Sequence, residues 1–281
     1  MPTPTPRTTL VYHAGALGDS VLHWPSLRVL QRAGEVTLAS DPSRARLAAQ
    51  ALGVRALDAA TLRALWSPEP VYAHPAGPFH LVRLCVGPVT PEQGACLLTR
   101  AAEMFPGARV SIARATADAR RARTITEIFH VEHFELVNPA GAFLLHVGSG
   151  GIAKRWPLER FAQLASILAR RAHVRVLAGE AELERFSSDE RGLFESMGGR
   201  FELELPGLVD AIVRARAVVC GDCGPGHLAA QLGARVLSLF GPTDPRRWAP
   251  VGPGARVLAP AKVSAMTWLA TDVVARALEG W

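Results

Sequence analysis

The strongest constraint on this chain is an alternation that starts twice. A short apolar run ends in a glycine-bearing loop and gives way to apolar residues at helical spacing. "TTLVYH" runs into "GALGDS" and then "DSVLHWPSLRVLQRA"; "AFLLHVGSG" runs into "GIAKRW" and then "PLERFAQLASILARR". Unbroken apolar runs followed by a spacing of three and four read as strand, loop and helix, and their repetition favours parallel sheets covered by helices on both faces.

The first series continues with "EVTLAS" as a strand and "SRARLAAQAL" as a helix capped by Asp41 or Ser43. Prolines 68, 70, 75, 78, 88 and 91 weaken the pattern between Ser67 and Gly94, where only "FHLVRLCV" reads as a strand. "ACLLTRAAEMF" follows as a helix, "ARVSIAR" as a strand and "TITEIFHVEHF" as a helical segment, up to a candidate boundary at the Asn138–Gly141 turn. The second series carries on through "VRVLAG", "VDAIVRAR", "AVVCGD", "GPGHLAAQLG" and "RVLSLFG". The expectation is an α/β chain of two Rossmann-like domains facing a cleft, residues 1–140 and 141–262. The segment 263–281, with "MTWLATDVVARALEGW", is expected to form a helix packing back on the first domain.

The length of 281 residues suits two cores rather than one. A net charge of +6 raises the question of a polyanionic partner. The basic residues are dispersed, however, and the densest run, "RRAR" at 120–123, has no interleaved aromatics to stack on bases. A phosphate-bearing small molecule or an acidic membrane surface fits this better than nucleic acid. Four cysteines are too few for a disulfide framework. "MPTPTPRTTL" lacks a signal-type apolar core, and no window is apolar enough to span a membrane. A cytoplasmic protein is expected, with peripheral contact at the inner membrane surface left open.

Three glycine-bearing loops follow strands, at the end of an open α/β sheet where ligands bind. The first, with Gly15 and Gly18, places Asp19 where a pyrophosphate would be repelled. Asp19 reads either as a helix N-cap or as a catalytic base. The second, "GSGGIAKRWP", offers Ser149, small residues for close backbone approach and Lys154 as a point charge for phosphate, or else an exposed lysine before a helix. In the third, Asp222 precedes Gly224, Pro225, Gly226 and His227, and the two glycines free backbone amides at a helix start as an anion site, unless the loop is an ordinary strand-to-helix turn.

Other candidates are weaker. Cys220-x-x-Cys223 resembles a redox spacing, but no second pair supplies further zinc ligands, and buried thiols are the simpler reading. Glu180, Glu182 and Glu184 follow a strand, where one carboxylate would accept both hydroxyls of a ribose or all would lie on a solvated face. His13, His23 and His146 read as packed core groups, and Arg246 and Arg247 as surface residues.

In their order, "GALGDSVLHWPSLRVL", "LLHVGSGGIAKRWPLERFAQLA" and "VVCGDCGPGHLAAQLGARVLSLFGPTDPRRWAP" resemble glycosyltransferase family 9, the ADP-heptose:lipopolysaccharide heptosyltransferase family. The resemblance implies a GT-B fold with the donor on the C-terminal domain and the acceptor on the N-terminal side, near Gly15 and Gly18. It implies Asp19 as the general base, inversion at the anomeric carbon, and Lys154 against the departing diphosphate. Ser149, Glu182, Asp222, Gly224, Pro225, Gly226 and His227 then contact the donor. No metal and no cofactor are implied beyond a nucleotide-diphosphate sugar such as ADP-heptose; the acceptor is a glycan or glycolipid. Cys223 departs from the family's usual Thr or Ser, and the chain looks short in its first domain. A nucleotide-sugar epimerase or hydrolase, or a non-catalytic binding protein, are the alternatives.

Overall fold

The computed structural model describes residues 7–114, 119–128 and 138–281. Residues 129–134 of the expected "TITEIFHVEHF" helix lie outside the described residues, as does the Arg121 side chain of the "RRAR" run. The chain divides into two compact units, one gathering residues 1–117 and 124–131, the other 118–123 and 132–281.

The first unit runs β1 (Arg7–His13), α1 (Leu17–Leu22), α2 (Trp24–Gln31), β2 (Gly34–Ser40), α3 (Pro42–Leu52), β3 (Arg55–Asp58), a 3-10 segment (Ala59–Trp66), β4 (Leu81–Val86), α4 (Pro91–Met104) and β5 (Arg109–Arg114), with α5 (Ala119–Ile128) following. Its sheet has the order β3-β2-β1-β4-β5 and every pairing is parallel. The last five residues of β1 are all buried, as a strand covered on both faces requires. Asp41 caps α3 by accepting from the Ser43 amide at 3.0 Å, and Gly53 ends that helix at a φ of +73°. α4 starts four residues earlier than its apolar pattern, because Thr90 and Gln93 form a reciprocal capping box ahead of it.

The first expected helix is two. Pro25 has no N–H for the Val21 carbonyl, so α1 stops at Leu22 and α2 restarts at Trp24 with the proline in its first turn.

The second unit runs β6 (Ala142–His146), a 3-10 turn (Ile152–Lys154), α6 (Leu158–Leu168), β7 (Val174–Ala178), α7 (Glu180–Arg185), α8 (Ser188–Ser196), β8 (Arg200–Phe201), α9 (Leu205–Val213), β9 (Ala215–Gly221), α10 (Gly224–Gln231), β10 (Val236–Leu239), α11 (Pro245–Trp248), β11 (Ala255–Leu258), a 3-10 turn (Met266–Trp268) and α12 (Thr271–Ala277). Its six parallel strands lie in the order β11-β10-β9-β6-β7-β8. Counted from its own first strand, each sheet has the doubly wound order 3-2-1-4-5, and the second adds a sixth strand.

Val274, Leu278 and Trp281 are buried in the same core as Phe143, Trp156, Phe161 and Leu164, so α12 packs within the second unit. The Thr271 hydroxyl donates to Gln163 Oε1 at 2.9 Å, and the Trp156 indole donates to the Leu269 carbonyl at 2.9 Å. These polar contacts and the apolar stripe of α12 both select α6 as its neighbour. No helix among the described residues is long and apolar enough to cross a membrane.

Candidate functional site

In both sheets the strand order reverses beside the first strand, between β1 and β4 and between β6 and β9. The crevice outside the carboxyl ends of strands at such a reversal is where open α/β sheets take ligands.

In the first unit the loop after β1 lies there. The buried rings of His13 and His23 stand 4.9 Å apart at 64°, and the Gly15 amide donates to His13 Nδ1 at 3.2 Å. A β-carbon on Gly15 would fall 2.7 Å from His13 Cε1 and 3.2 Å from Asp19 Cβ, so glycine is needed for the loop to fold over the ring. Asp19 is half-buried, the third residue of α1, with Gly18 just before it. The N-cap reading is corrected: the cap is Ala16, which has no side-chain bond, because α1 begins two residues before Asp19. The carboxylate thus sits in a first helical turn, where the peptide dipoles favour negative charge.

The second unit gathers the remaining candidates, apart from the solvent-side glutamates. The loop after β6 turns through Gly148–Gly151 into the short 3-10 turn that ends at Lys154. Two anchors fix that turn: Arg155 pairs with Glu190 and stacks over Phe186, and Trp156 is fully buried against Phe161. The Lys154 carbonyl passes so near the end of β9 that a β-carbon on Gly221 would sit 3.2 Å from it. Lys154 Nζ then reaches Asp222 Oδ2 at 3.2 Å, with side-chain exposures of 29% and 8%.

Asp222 leads into α10, whose first turn is Gly224, Pro225 and Gly226. Its amides point a partial positive charge toward the same end of the sheet. His227, next in the helix, is buried; desolvation holds its pKa below the ordinary imidazole value, and its Nδ1 has no hydrogen-bond partner among the described residues. Ser149 closes its own loop by donating to the Gly151 carbonyl at 2.6 Å.

Glu182 does not lie on the solvated face that was one of its two readings. It is 3% exposed, in the first turn of α7, and Glu182 Oε1 accepts the Ser149 amide at 3.1 Å. Its carboxyl group lies against Gly148, where a β-carbon would be 2.7 Å from Glu182 Cδ. It braces the glycine loop from behind, whereas Glu180 lies on the surface side of the same turn. Arg246 is solvent-exposed and paired with Asp244 at 3.1 Å, and Arg247 stacks on Trp248, as surface residues.

His146, read from sequence as core, belongs to this constellation. It ends β6 in register with Cys220 of β9. Burial alone would lower its pKa, but a hydrogen bond with Cys223, the charge there and the Glu182 carboxylate together raise it. Its position at the carboxyl end of a strand, directly before the glycine loop, was the available signal. No group of three or more His, Cys, Asp or Glu side chains among the described residues is arranged to hold a metal ion.

A chain with two doubly wound units, each with a glycine loop at its reversal point, and with a cation and a free helix N-terminus in the second, has the parts of a GT-B protein. Solved heptosyltransferases share the fold. An Escherichia coli heptosyltransferase, WaaC with ADP, superposes with a TM-score of 0.67 at 17% identity, covering 97% of this chain and 99% of that one. A family 9 glycosyl transferase from Veillonella parvula gives 0.69 at 18% identity, covering 97% and 96%. Residues 100–269 match the model of glycosyltransferase family 9 (heptosyltransferase), and the chain belongs to that family. Lipopolysaccharide heptosyltransferase 1 of Pseudomonas aeruginosa is 38% identical over 111 residues, which are 38% of this chain and 31% of the relative. The matched stretch thus spans about a third of the length of the curated relatives.

Proposed function

We propose that the chain is an inverting glycosyltransferase that moves heptose from ADP-heptose to a hydroxyl of a lipopolysaccharide-type acceptor, without a metal. The observation that carries this reading is the Lys154 ammonium, held 3.2 Å from Asp222 at the reversal point of the second sheet, beside the amino end of α10. The names of the relatives and the ADP in the solved E. coli neighbour support the donor.

The acceptor oxygen attacks the anomeric carbon as the bond to the diphosphate breaks, and its proton passes to Asp19. The electron pair leaves on the nucleoside diphosphate, where Lys154 and the α10 amides meet charge that is greatest in the transition state. Asp222 keeps Lys154 aimed before the donor arrives. Cys223 leaves the diphosphate a weaker donor than the hydroxyl usual at that position. Contact with an anionic inner-membrane surface fits the net charge and a lipid-linked acceptor.

Calorimetric titration with ADP, UDP and GDP in the presence of a chelator tests the donor site. ADP should bind in preference, and Lys154→Ala should weaken it about 10- to 150-fold, the worth of a lost charge-assisted hydrogen bond. Asp19→Asn should keep ADP binding and abolish transfer from ADP-heptose. Equal binding of all three nucleotides, or none, would dismiss the reading.

A further inference from the structure

His13 takes no part in the reaction proposed above, yet the chain fixes its position closely. It ends β1, is 1% exposed, and lies in register with Cys85 of β4. Its carbonyl accepts the buried Ser40 hydroxyl at 2.8 Å, which ties the end of β1 to the end of β2. His23, at the junction of α1 and α2, meets the ring edge-on with centroids 4.9 Å apart.

The Gly15 backbone orients the ring. Its amide donates to His13 Nδ1 at 3.2 Å. An imidazole nitrogen that accepts an N–H carries no proton of its own, so the proton of the ring is on Nε2. The point where a β-carbon on Gly15 would sit lies 2.7 Å from His13 Cε1, 3.3 Å from His13 Nε2 and 3.2 Å from Asp19 Cβ. The Cε1–Nε2 edge of the ring and the Asp19 side chain thus flank the one space that the absent methyl leaves open. A carboxylate oxygen lies two bonds beyond Cβ, which brings it within hydrogen-bond reach of Nε2. A buried N–H needs an acceptor, and an ionised carboxylate is the strongest a side chain offers.

We propose that His13 is the positioning residue of Asp19: as the Nε2–H tautomer it donates to one carboxylate oxygen and leaves the other aimed at the acceptor hydroxyl. That Asp19 then acts as the base rests on the function proposed above. The Gly15 amide also limits what His13 can do. A second proton would have to go on Nδ1, facing an N–H that cannot turn away unless the loop refolds. The ring therefore orients Asp19 without protonating it, and the carboxylate stays a base.

The test begins with the full chain labelled with 15N-histidine at neutral pH. Long-range proton–nitrogen correlation, assigned by the signals lost in His13→Phe, should show His13 protonated on Nε2 and bare on Nδ1, and Asp19→Asn should move the Nε2 resonance. Heptose transfer from ADP-heptose to heptose-free lipopolysaccharide is then measured. His13→Phe fills the space without the N–H, and kcat should fall on the order of 100-fold, the scale of a reacting group misplaced by about 1 Å, with KM for ADP-heptose unchanged. His13→Gln, whose amide offers both an acceptor for Gly15 and a donor toward Asp19, should recover most of that loss. A proton on Nδ1, or an Nε2 resonance indifferent to Asp19→Asn, overturns the assignment. So does a glutamine variant as slow as the phenylalanine one, which would mean that the ring only packs. If His13→Phe fails to fold, the tautomer and the glutamine variant decide. A wild-type chain that transfers no heptose defeats the proposed function instead, and the response of Nε2 to Asp19→Asn still decides whether His13 holds Asp19.

Discussion

Replacing Gly148 by alanine probes the brace behind the glycine loop. The new methyl would lie 2.7 Å from Glu182 Cδ and 3.0 Å from His146 Cε1, closer than carbon atoms sit without something shifting. Neither neighbour can swing into water, because both are buried and Glu182 holds the Ser149 amide. Such overpacking costs about 1–3 kcal/mol. Glu182→Ala opens the space but leaves the Ser149 amide without its acceptor, for a cost of its own of about 1–3 kcal/mol. Since the second change removes the nearer obstacle to the first and leaves only the 3.0 Å approach to His146, the two should not add. In the Glu182→Ala background, Gly148→Ala should cost less than it does alone by more than about 0.5 kcal/mol, a coupling beyond the usual scatter of independent sites. Urea denaturation of the four proteins, read as midpoint shifts at unchanged slope, measures this. An equal cost in both backgrounds would refute the brace.

Trp156→Phe keeps an aromatic ring against Phe161 but removes the indole donor to the Leu269 carbonyl. It should cost about 2 kcal/mol and lower the melting temperature by roughly 4–8 °C in calorimetry; an unchanged melting point would show that the turn after Lys154 is not anchored there. His227 should titrate below 6.5 and His146 above it by NMR of the ring protons, and the reverse order would contradict the burial and contacts described. Below pH 6.5 the unfolded chain binds a proton at His227 that the folded one refuses, so this group removes stability as the pH falls through that window. His146 acts oppositely: its contribution is full below 6.5 and is lost as the pH rises through its folded value. His227→Gln should therefore flatten the loss of stability under mild acid, as measured by urea midpoints from pH 7 to 5. Gly53→Ala places a side chain at a φ of +73° with open space around it, so thermal melts should report a pure backbone cost of about 1 kcal/mol.

The parallel architecture was legible because strands buried on both faces are unbroken apolar runs, and the loops after β1, β6 and β9 carry glycine. β3 was not legible: "RALD" is four residues with no buried side chain, and it is a strand only because β2 lies beside it. The two-residue β8 is similar. The break at Pro25 was hidden by apolar spacing that continues across His23. At the site, the Lys154–Asp222 pair joins loops 68 residues apart, and spacing alone could suggest each partner but not their meeting. The burial of Glu182, which rules out a solvated face for it, was not legible because its surroundings come from Gly148 and Ser149, not from its own helix. Cys220 and His146 were each read singly, as buried thiol and core imidazole, and the register of β6 on β9 is what sets them side by side.

The strand order also sets a schedule for synthesis. In each unit the first strand is central, yet one of its two neighbours is made late: β1 waits for β4, and β6 waits from His146 to Ala215 for β9. At about 5–20 residues per second, β6 has one bare, strongly apolar edge for roughly 3–14 s on the ribosome. During that interval "AFLLH" is open to pairing with another nascent chain. Slowed translation between α6 and α9 would lengthen the exposure, and aggregation during expression should track codon speed there more than anywhere after β9.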